Sequence, residues 1–568
     1  MDTTTKNIRT NEIPKIRGGL PLLGHMIPFA KNPFLFMKKV SDQAGEIAQF
    51  KIFSQRMILL TGDDASELFY RSSDEQLDQS AAYKLMTPIF GEGIVFDAPI
   101  DKKNEQLKML MPALRMSAMR QHSAKIISEV EGMISDWGES GEVNLVEAMK
   151  QLTINTATHC LLGKEFRYEL THEFADIYHD LEKGVNALAY SFPNLPIPSF
   201  RKRDRARVRL HELVHKIIEK REKSNEKHSD MFQMLIDTRY KDGSRLSSND
   251  IAGMLVAAIF AGHHTSSGTS AWVLLELLKN PRHMGEVTQE LDSLLGYDGN
   301  VTFQSLRETP KLENTLKEVL RLHPPLIVLM RQVAEDLYFK SHHIKKGDMV
   351  WASPPVTHRM GHLFSNPELF DPDRYTPGRE EDKNLMAYQP FGGGKHKCSG
   401  NAFAMFQIKA IYSILLRKYT FEFIDAPETY VDDYREMIVQ PKSPCKIRYK
   451  RRTADAFTSK HGTAGDQQEA PSQCPAAPAK EEQFTLVAET IEKMESTINT
   501  NFHISIDTQL CQGHAVCAAE SPELFNISNN LATVTSATPP ITMLEKAQCA
   551  ARHCPNAAIT ITTNSASK

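Results

Sequence analysis

One thiol, Cys398, lies in the run FGGGKHKCSG at residues 391–400, among glycines and cations. A thiolate that ligates a metal needs backbone N–H groups close to its sulfur, and glycines let the backbone approach that closely. The helical run NAFAMFQIKAIYSIL follows, so Cys398 stands just ahead of a helix N-terminus. There the dipole and nearby cations favour the thiolate. A buried structural cysteine in a glycine-rich loop is the plainer alternative. A second group of donors is CQGHAVC, with Cys511 and Cys517 flanking His514, followed by Cys554 in HCP. Two further patterns carry charge. EVLR places Glu318 and Arg321 three residues apart on one helix face, and PDRY offers Arg374 as a third member. AGHHTSS sets two histidines and a row of hydroxyls inside a long apolar helix, where they are costly unless used.

The elements that must position these residues belong to more than one domain, because 568 residues exceed one ordinary core. Hydrophobic residues make up 41% and charged residues 24%, with a net charge of −3, which argues against nucleic acid as a partner. No apolar run is long enough to span a bilayer, and the polar start MDTTTKNIRTNEIPKIRGG lacks a signal-peptide core. A soluble, cytoplasmic protein is therefore expected, in a compartment where cysteines stay reduced. Residues 1–449 read as mainly helical with a few short strands. Helical periods run through FADIYHDLEKGVNALAY, IAGMLVAAIFAGHHTSSGTSAWVLLELL and LENTLKEVLRLH, and strands through RMILLTG and GDMVWASP. Residues 450–499, rich in Ala, Pro, Gln and Glu, read as a flexible linker. Residues 500–568 form a second module too small to fold comfortably on its core alone, so a metal cluster is expected in it.

The order AGHHT, EVLR, PDRY, FGGGKHKCSG resembles that of the cytochrome P-450 family over residues 14–449. The resemblance implies a mainly α fold with small β-sheets, and haem b with Cys398 as axial thiolate, a ligand that favours O–O cleavage. It makes His396 a contact of a haem propionate, and Glu318, Arg321 and Arg374 structural. AYKLMTPIFGEGIVFDAP, residues 82–99, is similar to the substrate-recognition segment of the sterol 14α-demethylases within that family. AGHHTSSGTSAW and LRLHPPLIVLMR resemble the same subfamily, the first in its bacterial form. That implies three O2-dependent oxidations of a lanosterol-like 14α-methyl sterol, ending in formate and a new double bond. By position, Tyr83 would bond a propionate and wall the sterol cavity. Leu85, Met86, Phe90 and Phe96 would add apolar surface. Ala261 would leave room above the iron, Leu326 would line the opposite side, and Arg331 would pair with a propionate. Thr265 and His264 would handle protons, His264 standing where most of the family carries an acid. A histidine satisfied by a nearby carboxylate is compatible with that role. KKNEQLKML lacks the tryptophan–arginine pair many members use on a propionate, leaving Lys108 as the candidate substitute. The alternatives are a P-450 acting on another polycyclic or fatty substrate, and a haem sensor that does not oxidise.

Residues 501–563 resemble a ferredoxin in the cysteine spacing and in the proline after Cys554. With His514 where a second cysteine would stand, Cys511, Cys517 and Cys554 favour a [3Fe–4S] cluster. A [4Fe–4S] cluster with His514 as fourth ligand is the alternative. Cys549 is expected to be a small hydrophobe, and Cys160, Cys445 and Cys474 incidental. A tether of about 50 residues spans roughly 40 Å r.m.s.. It holds donor and acceptor at an effective concentration on the order of mM. Electrons would enter from a separate NAD(P)H-dependent reductase, since no GxGxxG unit appears. Apolar loops near the substrate entrance leave peripheral membrane contact open.

Overall fold

The computed structural model describes residues 11–185, 189, 192–296, 299–434, 438–453, 502–508, 511, 517–518, 521–528, 531–554 and 558–563. The chain divides into two compact units, Met1–Arg451 and Arg452–Lys568. The expected linker over 450–499 lies, from residue 454 on, outside the described residues.

The first unit is mainly helical around small sheets. Its largest sheet uses β1 (Ile47–Ile52), β2 (Gln55–Leu60), β3 (Leu77–Asp78), β4 (Leu329–Val333) and β5 (Met349–Ala352) in the order β1-β2-β5-β4-β3. β1 and β2 form an antiparallel hairpin, β2 runs parallel to β5, and β4 pairs antiparallel with β5. The run RMILLTG therefore supplies β2, and GDMVWASP supplies β5. A second sheet joins Ser140–Asn144 and Tyr419–Phe423 through a central Lys446–Arg451.

The helices that position the site are α1 (Asp63–Arg71), α2 (Ile100–Leu114), α3 (Thr171–Glu182), α4 (Ser248–Lys279), α5 (Pro310–Leu322) and α6 (Asn401–Lys418). The long apolar period around AGHHTSS becomes the 32-residue α4. It starts with a capping box in which Ser247 and Asp250 satisfy each other's backbone N–H. It stops at Asn280, ahead of Pro281, where the α conformation is disfavoured. Being apolar on nearly all sides, α4 is buried through the middle of the unit and packs on α6, whose Tyr412 hydroxyl donates to the Ser270 carbonyl. Residues 82–99 form short helical turns over Lys84–Met86, Thr87–Phe90 and Val95–Asp97, of which Thr87–Phe90 lies on α4. Gly253 allows this contact: a Cβ there would stand 2.1 Å from the Phe90 carbonyl oxygen.

In the second unit, Phe502–Ile506 pairs with Ile559–Thr563 and Phe525–Ser528 with Leu531–Val534, beside the helix Leu544–His553. The core there is small: Phe502, Ile504, Leu524, Phe525 and Ile559 surround the buried Cys517.

The packing at Gly253 separates two substitutions of the same kind. Gly253→Ala forces the Phe90 backbone away and is expected to cost about 1–3 kcal/mol. Gly285→Ala, in a helix with open space around the position, should stabilise by about 0.5–1 kcal/mol. Urea midpoints check both, and equal effects would contradict the close approach at Gly253.

Candidate active site

The Cys398 loop is built against α1. Gly394 has φ +61°, and a Cβ there would fall 2.0 Å from the Tyr70 carbonyl oxygen. A Cβ on Gly393 would touch the Tyr70 ring at 3.0 Å. These two glycines are needed for packing, whereas the sulfur's own donor is the N–H of Gly400. The Cys398 N–H donates to the Phe391 carbonyl at 2.9 Å, closing the loop. Burial among protein atoms pushes the Cys398 thiol up, while the Gly400 N–H and Lys397 favour the thiolate. The residue is nonetheless accessible, so it faces open space within the fold.

Glu318, Arg321 and Arg374 come together as the sequence suggested, all three with 0% exposure. Arg321 makes a two-pronged bond to Glu318 at 2.8 and 2.9 Å, and Arg374 Nε reaches both carboxylate oxygens at 3.0 Å. The Tyr375 hydroxyl and the Asp371 N–H complete the shell around the same carboxylate. The second guanidinium finds further charge balance in Glu381, 2.6 Å away. His358 extends the network. Its Nδ1 is 3.1 Å from the Arg321 carbonyl, and its Nε2 accepts from the Gln389 N–H at 2.9 Å. Only the neutral ring with its proton on Nδ1 can do both. Burial, with the charges of Arg321 and Arg359, pushes its pKa down to about 3.

A third cluster gathers from Tyr70 of α1, Asp74 just beyond it, α2, β4 and the Cys398 loop. Asp74 accepts from Lys395 at 2.8 Å and His396 at 2.5 Å, with Lys103 Nζ 3.7 Å away. Burial raises its carboxyl, but the bonds from His396 and Lys395 and the charge of Lys103 outweigh that and hold it well below the usual range. Arg331, 2% exposed, also faces this group and donates from one terminal nitrogen to the Phe69 carbonyl at 2.6 Å. Its Nε, Lys103 Nζ and the Tyr70 hydroxyl are buried without a hydrogen-bond partner. Two buried cations thus keep donors unused, an arrangement that suits an anionic group joining them. Of the two lysines, it is Lys103 that this cluster contains, whereas Lys108 lies on the exposed face of α2. Helical period was the available signal. Lys103 shares a stripe with the buried Gln106, Leu110 and Leu114, and Lys108 stands on the opposite side.

Across the unit, α4 is bare at one point. Ala261 and Gly262 are exposed between buried Ile259 and His263, and Gly262 has open space around it. Thr265 Oγ1 donates to the Ala261 carbonyl at 2.9 Å. The adjacent histidines differ sharply. His263 is buried on Thr153 Oγ1 at 3.0 Å, and burial first, then the charges of His264 and Lys150, keep it neutral. His264 Nε2 is in ion-pair contact with Glu182 at the end of α3. Burial raises the Glu182 carboxyl, but His264 reverses this, so the acid is held ionised. Tyr83 stacks on Phe96 at 4.8 Å, Phe96 meets Phe90 at 6.3 Å, and Phe90 meets Phe260 of α4 edge-on at 6.1 Å. Phe260 and Glu182 join the aromatic wall and His264 beyond the residues expected. Leu326 is 39% exposed, Met86 is half-buried, and Leu85, 1% exposed, packs against Phe200 and Ala189. Leu85 therefore supports the wall from behind.

These residues fit a haem: an accessible thiol with one N–H donor, a cation-rich cluster suited to two carboxylates, and a helix stretch without side chains to obstruct a bound molecule. In the second unit, Cys511, Cys517 and Cys554 pack in one cluster. Burial and the proximity of Cys554 and Cys511 push the Cys517 thiol up to about 11. Cys511 Sγ accepts from the Ala532 N–H at 3.3 Å and Cys554 Sγ from the Ala558 N–H at 3.4 Å. Mutual repulsion between thiolates, with N–H groups already aimed at two sulfurs, suits a metal cluster. His514, Cys474 and the Cys549 side chain lie outside the described residues.

Comparison with known proteins agrees with this geometry. A family model described as cytochrome P-450 matches residues 14–449, and one described as a 4Fe-4S single cluster domain matches residues 504–561. A sterol 14alpha-demethylase of Mycolicibacterium vanbaalenii is 47% identical, over 78% of this chain and 99% of that one. The lanosterol 14-alpha demethylase of Homo sapiens is 38% identical, over 78% of this chain and 87% of that one. Among solved structures, the retinoic acid bound cyanobacterial CYP120A1 superposes with a TM-score of 0.69 at 24% identity, covering 78% of this chain and all of its own, a likeness of fold alone.

The His358 ring gives a pH test. An unfolded histidine titrates near 6.5 and the folded one near 3, so the unfolded chain binds the proton first. The stability this neutral ring contributes is full above about pH 6.5 and drains as pH falls towards about 3. In urea titrations at about pH 7 and pH 5, the loss should be smaller in His358→Gln than in the wild type. Equal losses would show that the ring does not carry the effect.

Proposed function

The chain belongs to the cytochrome P-450 family of monooxygenases, and from that premise we propose that it removes the 14α-methyl group of a sterol. The observation that carries this reading is likeness, over 78% of this chain, to proteins named for that reaction, from bacteria and from human. The stacked wall of Tyr83, Phe96, Phe90 and Phe260 supports it, since a rigid steroid skeleton asks for a flat apolar surface.

Haem held by Cys398 supplies the O2-activating chemistry, which the thiolate favours. The residues of the chain do the rest. Gly400 moderates the charge on sulfur, and Lys103, Arg331, His396 and Tyr83 hold the propionates. Ala261 leaves the substrate room, while Met86, Phe90, Phe96 and Leu326 line it and Leu85 backs them. Glu182, held ionised, stands beside His264 Nε2 and orients the ring. Thr265, anchored on the Ala261 carbonyl, presents its oxygen to receive a proton by way of His264 or water. The methyl group passes through alcohol and aldehyde and leaves as formate, with a double bond formed in the ring. Each step consumes one O2, two electrons and two protons.

The electrons come from the fused iron–sulfur unit, and a separate NAD(P)H-dependent reductase supplies it. Within that unit we assign a [3Fe–4S] cluster to Cys511, Cys517 and Cys554, the [4Fe–4S] form with His514 as fourth ligand being the other outcome of an iron count.

Optical titration with a 14α-methyl sterol should give a saturable shift of the haem absorption that the 14-desmethyl product gives weakly or not at all, followed by formate on turnover. No shift, with an intact thiolate spectrum after reduction under carbon monoxide, would leave the family and remove the sterol, in favour of another polycyclic or fatty substrate. Cleaving the segment between the two units should lower turnover of dilute enzyme, and excess free iron–sulfur unit should restore it. Equal turnover before and after cleavage would sink the intramolecular route.

A further inference from the structure

His323 stands where three elements of the first unit meet. It follows the last residue of α5, and its own N–H closes that helix on the Val319 carbonyl at 2.7 Å. Its Nε2 lies 3.3 Å from Glu276 Oε1 of α4, and its Nδ1 lies 3.1 Å from Asp432 Oδ1. Asp432 belongs to a short antiparallel pair, Asp432–Asp433 with Gln440–Pro441. The ring stacks on Trp272 of α4, with centroids 3.7 Å apart and planes 8° from parallel, and the side chain is only 12% exposed.

An ionised carboxylate only accepts hydrogen bonds, so a ring with one at each nitrogen bonds both only when both nitrogens carry protons. Burial lowers the pKa of this ring, but the charge of Asp432 and the bonds to Asp432 and Glu276 outweigh it and raise the value. Burial likewise raises the Glu276 carboxyl, and the bond from His323 reverses that. The C-terminal dipole of α5 also favours a cation at this position. Other groups face the two acids. Lys279 of α4 donates to Glu276 at 3.1 Å, and the Tyr434 hydroxyl donates to Asp432 at 3.1 Å. Arg359, beyond β5 and paired with Glu368 at 3.2 Å, adds its charge towards Asp432. Among the described residues, only His323 bonds both acids.

What this bridge holds bears on the active site. The Val439 N–H, just before the second strand, donates to the Pro325 carbonyl at 2.9 Å, and Pro325 leads directly into Leu326. The Val439 carbonyl oxygen packs on α4 at Gly268, where a Cβ would stand 3.1 Å from it. Gly268 is three residues past Thr265, so strand pair and loop meet α4 within one turn of that hydroxyl. We propose that His323 is a positioning residue for the substrate site: as an imidazolium bonded to Glu276 and Asp432, it ties the strand pair to α4 and thereby sets the position of Leu326. This rests on the reading that Leu326 lines the substrate. Loss of one ring proton leaves a carboxylate facing a lone pair, so the bridge opens as pH rises. The sign follows from linkage. A free histidine titrates near 6.5 and this one higher, so the bridge contributes fully below about pH 6.5 and is lost as pH climbs through the folded value.

The test uses the full-length haem-loaded protein between about pH 6 and about pH 9.5. Hydrogen exchange reads the protection of the Val439 amide and of the Lys442 amide, which donates to the Val431 carbonyl at 2.9 Å. Corrected for the intrinsic rate, protection should fall about tenfold or more as pH rises. Optical titration with a 14α-methyl sterol, which has no group titrating in that range, should show affinity falling about threefold or more. His323→Arg keeps a charge and a fork of donors for the two acids, so both readouts should stay flat with pH. Asp432→Asn should move the fall to lower pH, because the first cause of the raised value is gone. The carbon monoxide spectrum of each reduced variant shows that the thiolate site is intact. Protection independent of pH in the wild type, or the same fall in His323→Arg, would overturn the proposal. So would lost protection with unchanged sterol affinity. A sterol that gives no shift at any pH removes the sterol reading alone, and the exchange readout, which needs no ligand, then decides whether His323 holds the strand pair.

Discussion

One carboxylate, Glu318, holds the thiolate side of this fold together. It is fully buried, and it survives there only because two guanidiniums, a phenol and a backbone N–H surround it. The bonds run on from it. Arg321 uses its remaining donors on the carbonyls of His358, Pro367 and Leu369, fixing a stretch of irregular backbone that has no sheet or helix to satisfy it. Arg321's own carbonyl meets the His358 ring, the ring accepts from Gln389, and the Gln389 carbonyl accepts from Gly392 at 3.0 Å, at the start of the Cys398 loop. A helix in the core is thereby linked to the loop that presents the thiol. Removing one partner would leave buried charge uncompensated, a loss of about 3–5 kcal/mol.

The group around Asp74 is the opposite case. Lys103 and Arg331 are as deeply placed, but their donors are not all used: Lys103 Nζ stands 3.7 Å from Asp74, and it and Arg331 Nε have no hydrogen-bond partner. A protein that stored only stability would not arrange charge in this way. In a member of this family, such unused buried donors suit an anionic prosthetic group. Asp74 keeps the cations oriented meanwhile.

The two histidines of α4 divide labour by the same physics. They are neighbours in sequence and their rings are 4.4 Å apart, yet they face different partners. His263 turns into the core towards Thr153, where burial keeps it uncharged. His264 turns towards Glu182, whose carboxyl it holds below the usual range. A difference of about 100° around one helix separates a ring packed in the core from one paired with a carboxylate.

Much of this was legible in the chain itself. The period of α4 and α5, the i, i+3 pairing of Glu318 with Arg321, the cysteine among glycines and the three spaced thiols are local patterns, and local geometry translates them directly into structure. What pairs across long sequence distance was not legible. Nothing in the sequence says that Glu182 meets His264, that Phe260 extends the wall begun by Tyr83, or that Gly394 is a glycine because of Tyr70. Leu85 and Lys108 show the limit from the other side, since each has a suitable chemistry and neither is turned towards the place expected of it. By itself the sequence determined which chemistries were available: a thiolate for haem, thiols for a cluster, a hydroxyl and an imidazole for protons. Which side chains face one another was decided only in the tertiary structure, because burial and charge balance are properties of a whole neighbourhood, and no single segment contains its neighbourhood.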